Sequence, residues 1–87
     1  MVKVKIELFA TLREKFGKEV EVECENIEDC LVQASKILGK EFLDEVMKDG
    51  KIRDDRIITI NGRNIKDELK ELKDGDVIAI FPPIAGG

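Results

Sequence analysis

The sequence has 87 residues, 15 of them basic and 19 acidic, with a net charge of −4 and no histidine. A chain of this size forms one small domain that buries roughly 60% of its unfolded surface and encloses no deep active-site cavity, so chemistry is expected to need a partner. No stretch gathers Lys or Arg into a phosphate-neutralising stripe, which argues against nucleic acid. The start, Met1-Val2-Lys3-Val4-Lys5, lacks the continuous apolar block of a signal peptide or membrane span, and a cytoplasmic protein without membrane contact is expected.

Val2, Val4, Ile6 and Leu8 alternate with Lys3, Lys5 and Glu7, the period of a strand with one buried face. Phe9 breaks this pattern, since its parity puts it with the charged residues. A turn is expected around Thr11 to Gly17. Val20, Val22 and Cys24 then alternate with Glu19, Glu21 and Glu23 as a second half-buried strand. In an antiparallel hairpin the outward lysines face the outward glutamates, which accounts for the charge run.

Asn26 is a good N-cap, and Ile27, Cys30, Leu31, Ala34, Ile37 and Leu38 recur at helical spacing up to Gly39, giving a helix with one face to cover a sheet. A shorter amphipathic piece follows, with Phe42, Leu43, Val46 and Met47 along one side and an end at Gly50. Residues 51–56 read as a solvated connection. Ile57-Ile58-Thr59-Ile60 is β-rich and runs into the tight-turn dipeptide Asn61-Gly62. Ile65, Leu69 and Leu72 suggest a turn of helix before Asp74-Gly75, and Val77 to Phe81 forms the final strand. Pro82 and Pro83 lack amide donors and should stop ladder pairing.

Cys24 and Cys30 are the only cysteines, so a zinc site would have to recruit carboxylates or a second chain, and no metal is expected. Each fits a buried position, and small buried thiols are the expectation. The alternatives are a reactive Cys30 near a helix N-terminus and a disulfide, which inside a cell suits a heat-loving source. The 39% charged composition leans toward such a source.

An apolar last strand after a helical crossover fits best in the middle of the sheet, beside the first strand and parallel to it. The expected class is α+β, resembling the ubiquitin-like β-grasp: a mixed sheet of four to five strands with one main helix packed on one face. Residues 1–81 form this domain and residues 82–87 a flexible tail. With Ile78 and Ile80 inward, Val77, Ala79 and Phe81 point outward, and Phe9 on the neighbouring strand lies close to them. Two phenylalanines at the exit of the tail on a charged face suggest a docking patch, unless they tuck under a loop at the sheet edge.

The tail, Phe81-Pro82-Pro83-Ile84-Ala85-Gly86-Gly87, ends in residues without a β-carbon that fit a narrow channel and leave the carboxylate unhindered. Fully extended, Ile84 to Gly87 spans about 13 Å and Pro82 to Gly87 about 20 Å, enough to enter a partner's active site while the body stays outside. Pro82-Pro83 keeps the first step extended and lowers the entropy lost on insertion. A carboxylate is inert to nucleophiles until activated, as in an acyl adenylate. No phosphate cradle appears elsewhere, and without His neither a Ser-His-Asp nor a Cys-His arrangement is available. No autonomous catalytic site is expected.

At these residues the chain resembles the small subunit of molybdopterin synthase, the MoaD type of ubiquitin-like sulfur carrier in the MoaD/ThiS family. The ending matches almost residue for residue, with Ile84 where Val is usual. Supporting similarity lies in Leu8-Phe9-Ala10-Thr11-Leu12-Arg13-Glu14, in Ile60-Asn61-Gly62 and in Leu72-Lys73-Asp74-Gly75-Asp76-Val77. The resemblance implies that a ubiquitin-activating-like enzyme adenylates the Gly87 carboxylate using ATP, that a sulfur donor leaves a thiocarboxylate, and that the loaded tail enters the large synthase subunit of a heterotetramer. There sulfur passes to a cyclic pyranopterin precursor and builds the molybdopterin dithiolene. No cofactor is implied for this chain itself. Gly86 and Gly87 are the reactive end. Phe9, Arg13, Ile65, Phe81, Pro82, Pro83, Ile84 and Ala85 are the implied partner contacts, although Arg13 also fits a solvated turn cation and Ile65 a core residue. Conjugation through Gly87 to lysines of other proteins uses the same adenylate and stays open, as do sulfur supply for thiamin thiazole and a binding module with an inert tail.

Overall fold

The computed structural model describes residues 1–68 and 71–83. In chain order its elements are β1 (Val2–Leu8), α1 (Ala10–Phe16), β2 (Glu19–Cys24), α2 (Ile27–Leu38), α3 (Lys40–Val46), β3 (Met47–Lys48), β4 (Lys51–Ile52), β5 (Ile57–Ile60), β6 (Arg63–Asn64) and β7 (Val77–Phe81). Five strands make a mixed sheet in the order β2-β1-β7-β5-β6, with β1 and β7 parallel and the other neighbours antiparallel. β7 is thus the central strand, as an apolar strand reached by a crossover should be. β3 and β4 form a separate hairpin. This is the expected β-grasp, with α2 as the main helix and two short helices beside it. No helix among the described residues is long and apolar enough to cross a membrane.

Alternation along β1 holds throughout: Val4, Ile6 and Leu8 are buried with Ile78 and Ile80 of β7, Ile58 of β5 and Val22 of β2. Ile27, Cys30, Leu31 and Ala34 of α2 and Phe42 and Val46 of α3 close this core. Asn26 caps α2, its Oδ1 accepting from the Asp29 amide at 2.8 Å, while Asp29 Oδ2 accepts from the Glu25 amide at 2.9 Å. The Glu25 amide, followed by the Gln33 side chain, holds the Asp29 carboxyl below its usual 3.8. Gly39, at φ 106°, takes a conformation that a β-carbon would strain, and there the chain passes from α2 into α3.

Several expectations need correction. The segment expected as a turn around Thr11 to Gly17 is helix α1, Ala10–Phe16, anchored by buried Leu12 and capped by Gly17. The segment after α2 stops being helical at Val46. From Met47 it turns through Asp49-Gly50, where both residues have positive φ, into the β3–β4 hairpin. Residues 51–56 are more than a solvated connection, because Arg56 is only 7% exposed. Its Nη2 donates to Glu45 Oε2 at 3.1 Å, and Nη1 lies 2.8 Å from Asp55 Oδ1 as an ion pair not aligned as a hydrogen bond. Lys15 of α1 reaches the other Glu45 oxygen at 3.6 Å, so this network ties α1, α3 and the entry to β5. Desolvation favours the neutral form of Asp55, but Arg53 and Arg56 outweigh it and lower its pKa.

The cysteines depart from the buried-thiol expectation as well. Both are fully buried, but Cys24 at the end of β2 and Cys30 in the first turn of α2 form a disulfide. The turn at Glu25-Asn26 brings their Cα atoms to 5.0 Å, within the range a bridge requires. Ile37, read as part of the core face of α2, is 63% exposed. Of the helical turn inferred from Ile65, Leu69 and Leu72, Leu69 lies outside the described residues. Ile65 and Leu72 are partly buried against the core.

Candidate functional site

The site is built where β7 ends. Val77, Ala79 and Phe81 alternate with buried Ile78 and Ile80, which sends Phe81 to the face of the sheet opposite α2. The Asp74-Gly75 turn sets this register. Asp74 Oδ1 accepts from the Lys3 amide at 2.8 Å, Gly75 N–H donates to the Lys3 carbonyl at 2.9 Å, and the Lys5 amide donates to the Asp76 carbonyl at 3.0 Å. On the other flank Asn61 Oδ1 accepts from the Val77 amide at 3.0 Å, and Asn61 Nδ2 donates to Asp76 Oδ1 at 2.9 Å. Asn61 and Gly62 both have positive φ, as the tight hairpin between β5 and β6 demands. These turn side chains therefore clamp the entrance of β7 to both neighbours.

Phe9 is extended and its amide donates to the Ile80 carbonyl at 3.3 Å, so it continues the β1–β7 ladder by one residue. Its ring stacks on Phe81 with centroids 4.5 Å apart and planes 12° from parallel. Immediately afterwards Ala10 takes φ 53°, a left-handed conformation that costs an L-residue roughly 1–2 kcal/mol. That reversal turns the chain into α1 directly beside the aromatic pair. Ile57 stands opposite Phe81 across the β5–β7 ladder and is 40% exposed. Phe9, Phe81 and Ile57 therefore form an apolar row across three strands at the end from which the tail departs.

The inferred contacts do not all meet in this row. Arg13 lies one turn along α1, exposed, its amide donating to the Phe9 carbonyl at 3.4 Å. Ile65 lies beyond β6, partly buried against the core, with its amide on the Ile58 carbonyl at 3.0 Å. Pro82 is half-buried and Pro83 exposed. Ile84, Ala85, Gly86 and Gly87 lie outside the described residues. Ile57 was missed, although its alternation with Ile58 carried the signal once a register with Phe81 was known.

Among the described residues no group of three or more Cys, Asp or Glu side chains is arranged to hold a metal. The lowered carboxyls of Asp29 and Asp55 serve a helix cap and an arginine pair, away from the aromatic row. The described part of the site is an apolar face beside the point where the chain leaves β7.

Residues 6–87 match the ThiS family. The chain belongs to this family of ubiquitin-like sulfur carriers. A protein of Archaeoglobus fulgidus, provisionally named a sulfur carrier protein, is 29% identical over 87 residues, covering 97% of this chain and 98% of the relative. The small archaeal modifier protein 1 of Methanosarcina acetivorans has a structure similar at a TM-score of 0.87 and 32% identity, covering 100% of this chain and 98% of that one. A Pyrococcus furiosus structure, provisionally named molybdopterin converting factor subunit 1, is 36% identical with a TM-score of 0.72, covering 97% of this chain and 100% of that one. Family membership thus rests on the whole β-grasp body as well as the tail.

Proposed function

We propose that this sulfur-carrier family member is the small subunit of a molybdopterin synthase, acting in the cytoplasm through the carboxylate of Gly87. The observation that carries the proposal is the course of the chain: it leaves the central strand β7 beside the Phe9–Phe81 stack and runs through Pro82-Pro83 toward Gly86-Gly87. A carboxylate oxygen attacks the α-phosphorus of ATP held by an adenylating partner, and pyrophosphate leaves. Sulfide delivered by a sulfur donor then attacks the acyl carbon, AMP departs, and a terminal thiocarboxylate remains. The thiocarboxylate is the better nucleophile; in the large synthase subunit its sulfur bonds to a cyclic pyranopterin precursor, and water then cleaves the acyl–sulfur bond and restores the Gly87 carboxylate. The apolar row docks the body against each partner while the tail is inserted. The similarity to the Pyrococcus furiosus protein supports this destination.

The modifier protein of Methanosarcina acetivorans supports a second reading, in which a lysine amine of another protein attacks the same adenylate and forms an isopeptide bond. Intact mass after incubation with the adenylating enzyme, ATP and a sulfur source separates the two. Exchange of one oxygen for sulfur on the full-length chain, lost when Gly87 is deleted from a protein of unchanged fold, is the expected result. Undiminished loading after the deletion would overturn the carrier mechanism, and ladders of lysine-linked adducts in place of thiocarboxylate would favour conjugation.

A further inference from the structure

The opposite side of the sheet carries a second surface that the tail chemistry does not use. β2 is an edge strand, paired only with β1. Leu8 N–H donates to the Lys18 carbonyl at 2.9 Å, marking these as a hydrogen-bonded pair. Alternation along the antiparallel ladder then turns the backbone groups of Val20, Val22 and Cys24 toward β1 and those of Glu19, Glu21 and Glu23 toward the open edge. Among the described residues those outward groups have no backbone partner.

Beside this edge runs a groove between β2 and α2, lined by Val22 on its floor and by Gln33 and Ile37 on the helix. Ile37 is 63% exposed and Met1, at the groove's end, 75% exposed. The two faces of the edge therefore differ. On the helix side, alternate residues of an added strand would meet Val22 and Ile37. On the outer side they would meet Glu19, Glu21 and Glu23. Glu19 pairs with Lys5 at 3.5 Å, whereas Glu21 and Glu23 have no ion pair among the described residues. The cations nearby are Lys3, which faces Glu23 from β1, Lys5, which stands opposite Glu21 but reaches Glu19, and Lys36 on the helix rim.

We propose that the β2–α2 groove is a strand-addition site for an extended segment of a partner protein in which apolar residues alternate with Lys or Arg. The apolar side chains would cover Ile37 and Val22, the basic ones would pair with Glu21 and Glu23, and the partner's backbone would complete the edge ladder. The chain supplies the template itself: on the other flank of β2, Val2-Lys3-Val4-Lys5 pairs with Cys24 to Glu21 in this alternation. A second copy fits poorly, because two antiparallel β2 edges would set glutamates against glutamates.

The test is titration of the isotope-labelled full chain with a capped seven-residue peptide of alternating Val and Lys, followed by amide chemical shifts and hydrogen exchange. The expected result is shifts confined to Glu19–Cys24 and the Ile37 region, with slowed exchange at the Glu19, Glu21 and Glu23 amides. Glu21→Lys with Glu23→Lys should weaken affinity at least about tenfold, as should Ile37→Asp, with thermal melting checking that each variant stays folded. An equal response to an alternating Val-Glu peptide, shifts centred on Phe9 and Phe81, or no response would overturn the proposal. So would concentration-dependent self-association that slows the same amides without peptide, which would assign the edge to a second copy. None of these measurements involves Gly87, so failure here leaves the carrier reading intact, and the reverse holds.

Discussion

The four phenylalanines of this protein form two pairs, one on each face of the sheet. Phe16 of α1 and Phe42 of α3 meet edge to face, centroids 5.6 Å apart, with Phe42 fully buried. Phe9 and Phe81 lie stacked and half-buried on the face that no helix covers. The residue type is the same, and the surroundings decide what it does. The inner pair removes apolar surface from water during folding. The outer pair keeps part of its apolar surface in contact with water, at the point where the chain leaves β7.

Breaking the inner pair should have the larger effect on stability. Phe42→Ala leaves a cavity where Val46, Leu12 and α2 cannot all collapse, and a loss of about 3–5 kcal/mol is expected in denaturant unfolding. Next comes the covalent support of the same interior. Replacing Cys24 and Cys30 together by Ala should cost about 2 kcal/mol, the chain-entropy value for so short a loop, while sulfur loading by the folded fraction is retained. Loss of loading in folded protein would give the buried pair a direct role that its burial argues against.

The outer pair should behave oppositely. Phe81→Ala is expected to cost about 1 kcal/mol of stability but roughly thirtyfold in affinity for the adenylating partner, the effect of removing a central apolar anchor. Unchanged affinity by calorimetric titration would remove the docking function from the aromatic row. The smallest effect concerns pH. The Asp29 carboxyl ionises below 3.8 in the fold, so its stabilising contribution is present above that value and is lost as pH falls through the lowered one. Asp29→Asn should flatten this acid limb of the stability curve and leave both phenylalanine pairs undisturbed.

Much of the arrangement is legible in the chain because local pattern and tertiary packing agree. Alternation along residues 2–8 and 77–81 places both strands in the interior with the right faces. Parity alone puts Phe9 beside Phe81. Ile57 escapes because its place depends on which residue lies across the ladder, and a run of four β-branched residues does not state its register. Arg56 escapes for a related reason: an arginine in a charged stretch reads as solvated until Glu45 is brought to it from eleven residues earlier. Ile37 fits the period of α2, but it lies beside the open edge strand β2 and stays 63% exposed, because no further strand covers that flank. The disulfide needs only the tight turn at Glu25-Asn26, yet identical spacing also suits two buried thiols. Gly86 and Gly87 carry a chemical expectation drawn from composition alone, and they lie outside the described residues.

The central position of β7 has a mechanical consequence. Four residues of β7 are paired to β1 and four to β5, so traction on the tail is resisted by two ladders loaded in shear, whose bonds must fail together. A terminal strand at the rim would instead be peeled open one bond at a time. Under the proposed function, a partner that gripped the segment beyond Phe81 would therefore draw on a body that stays folded.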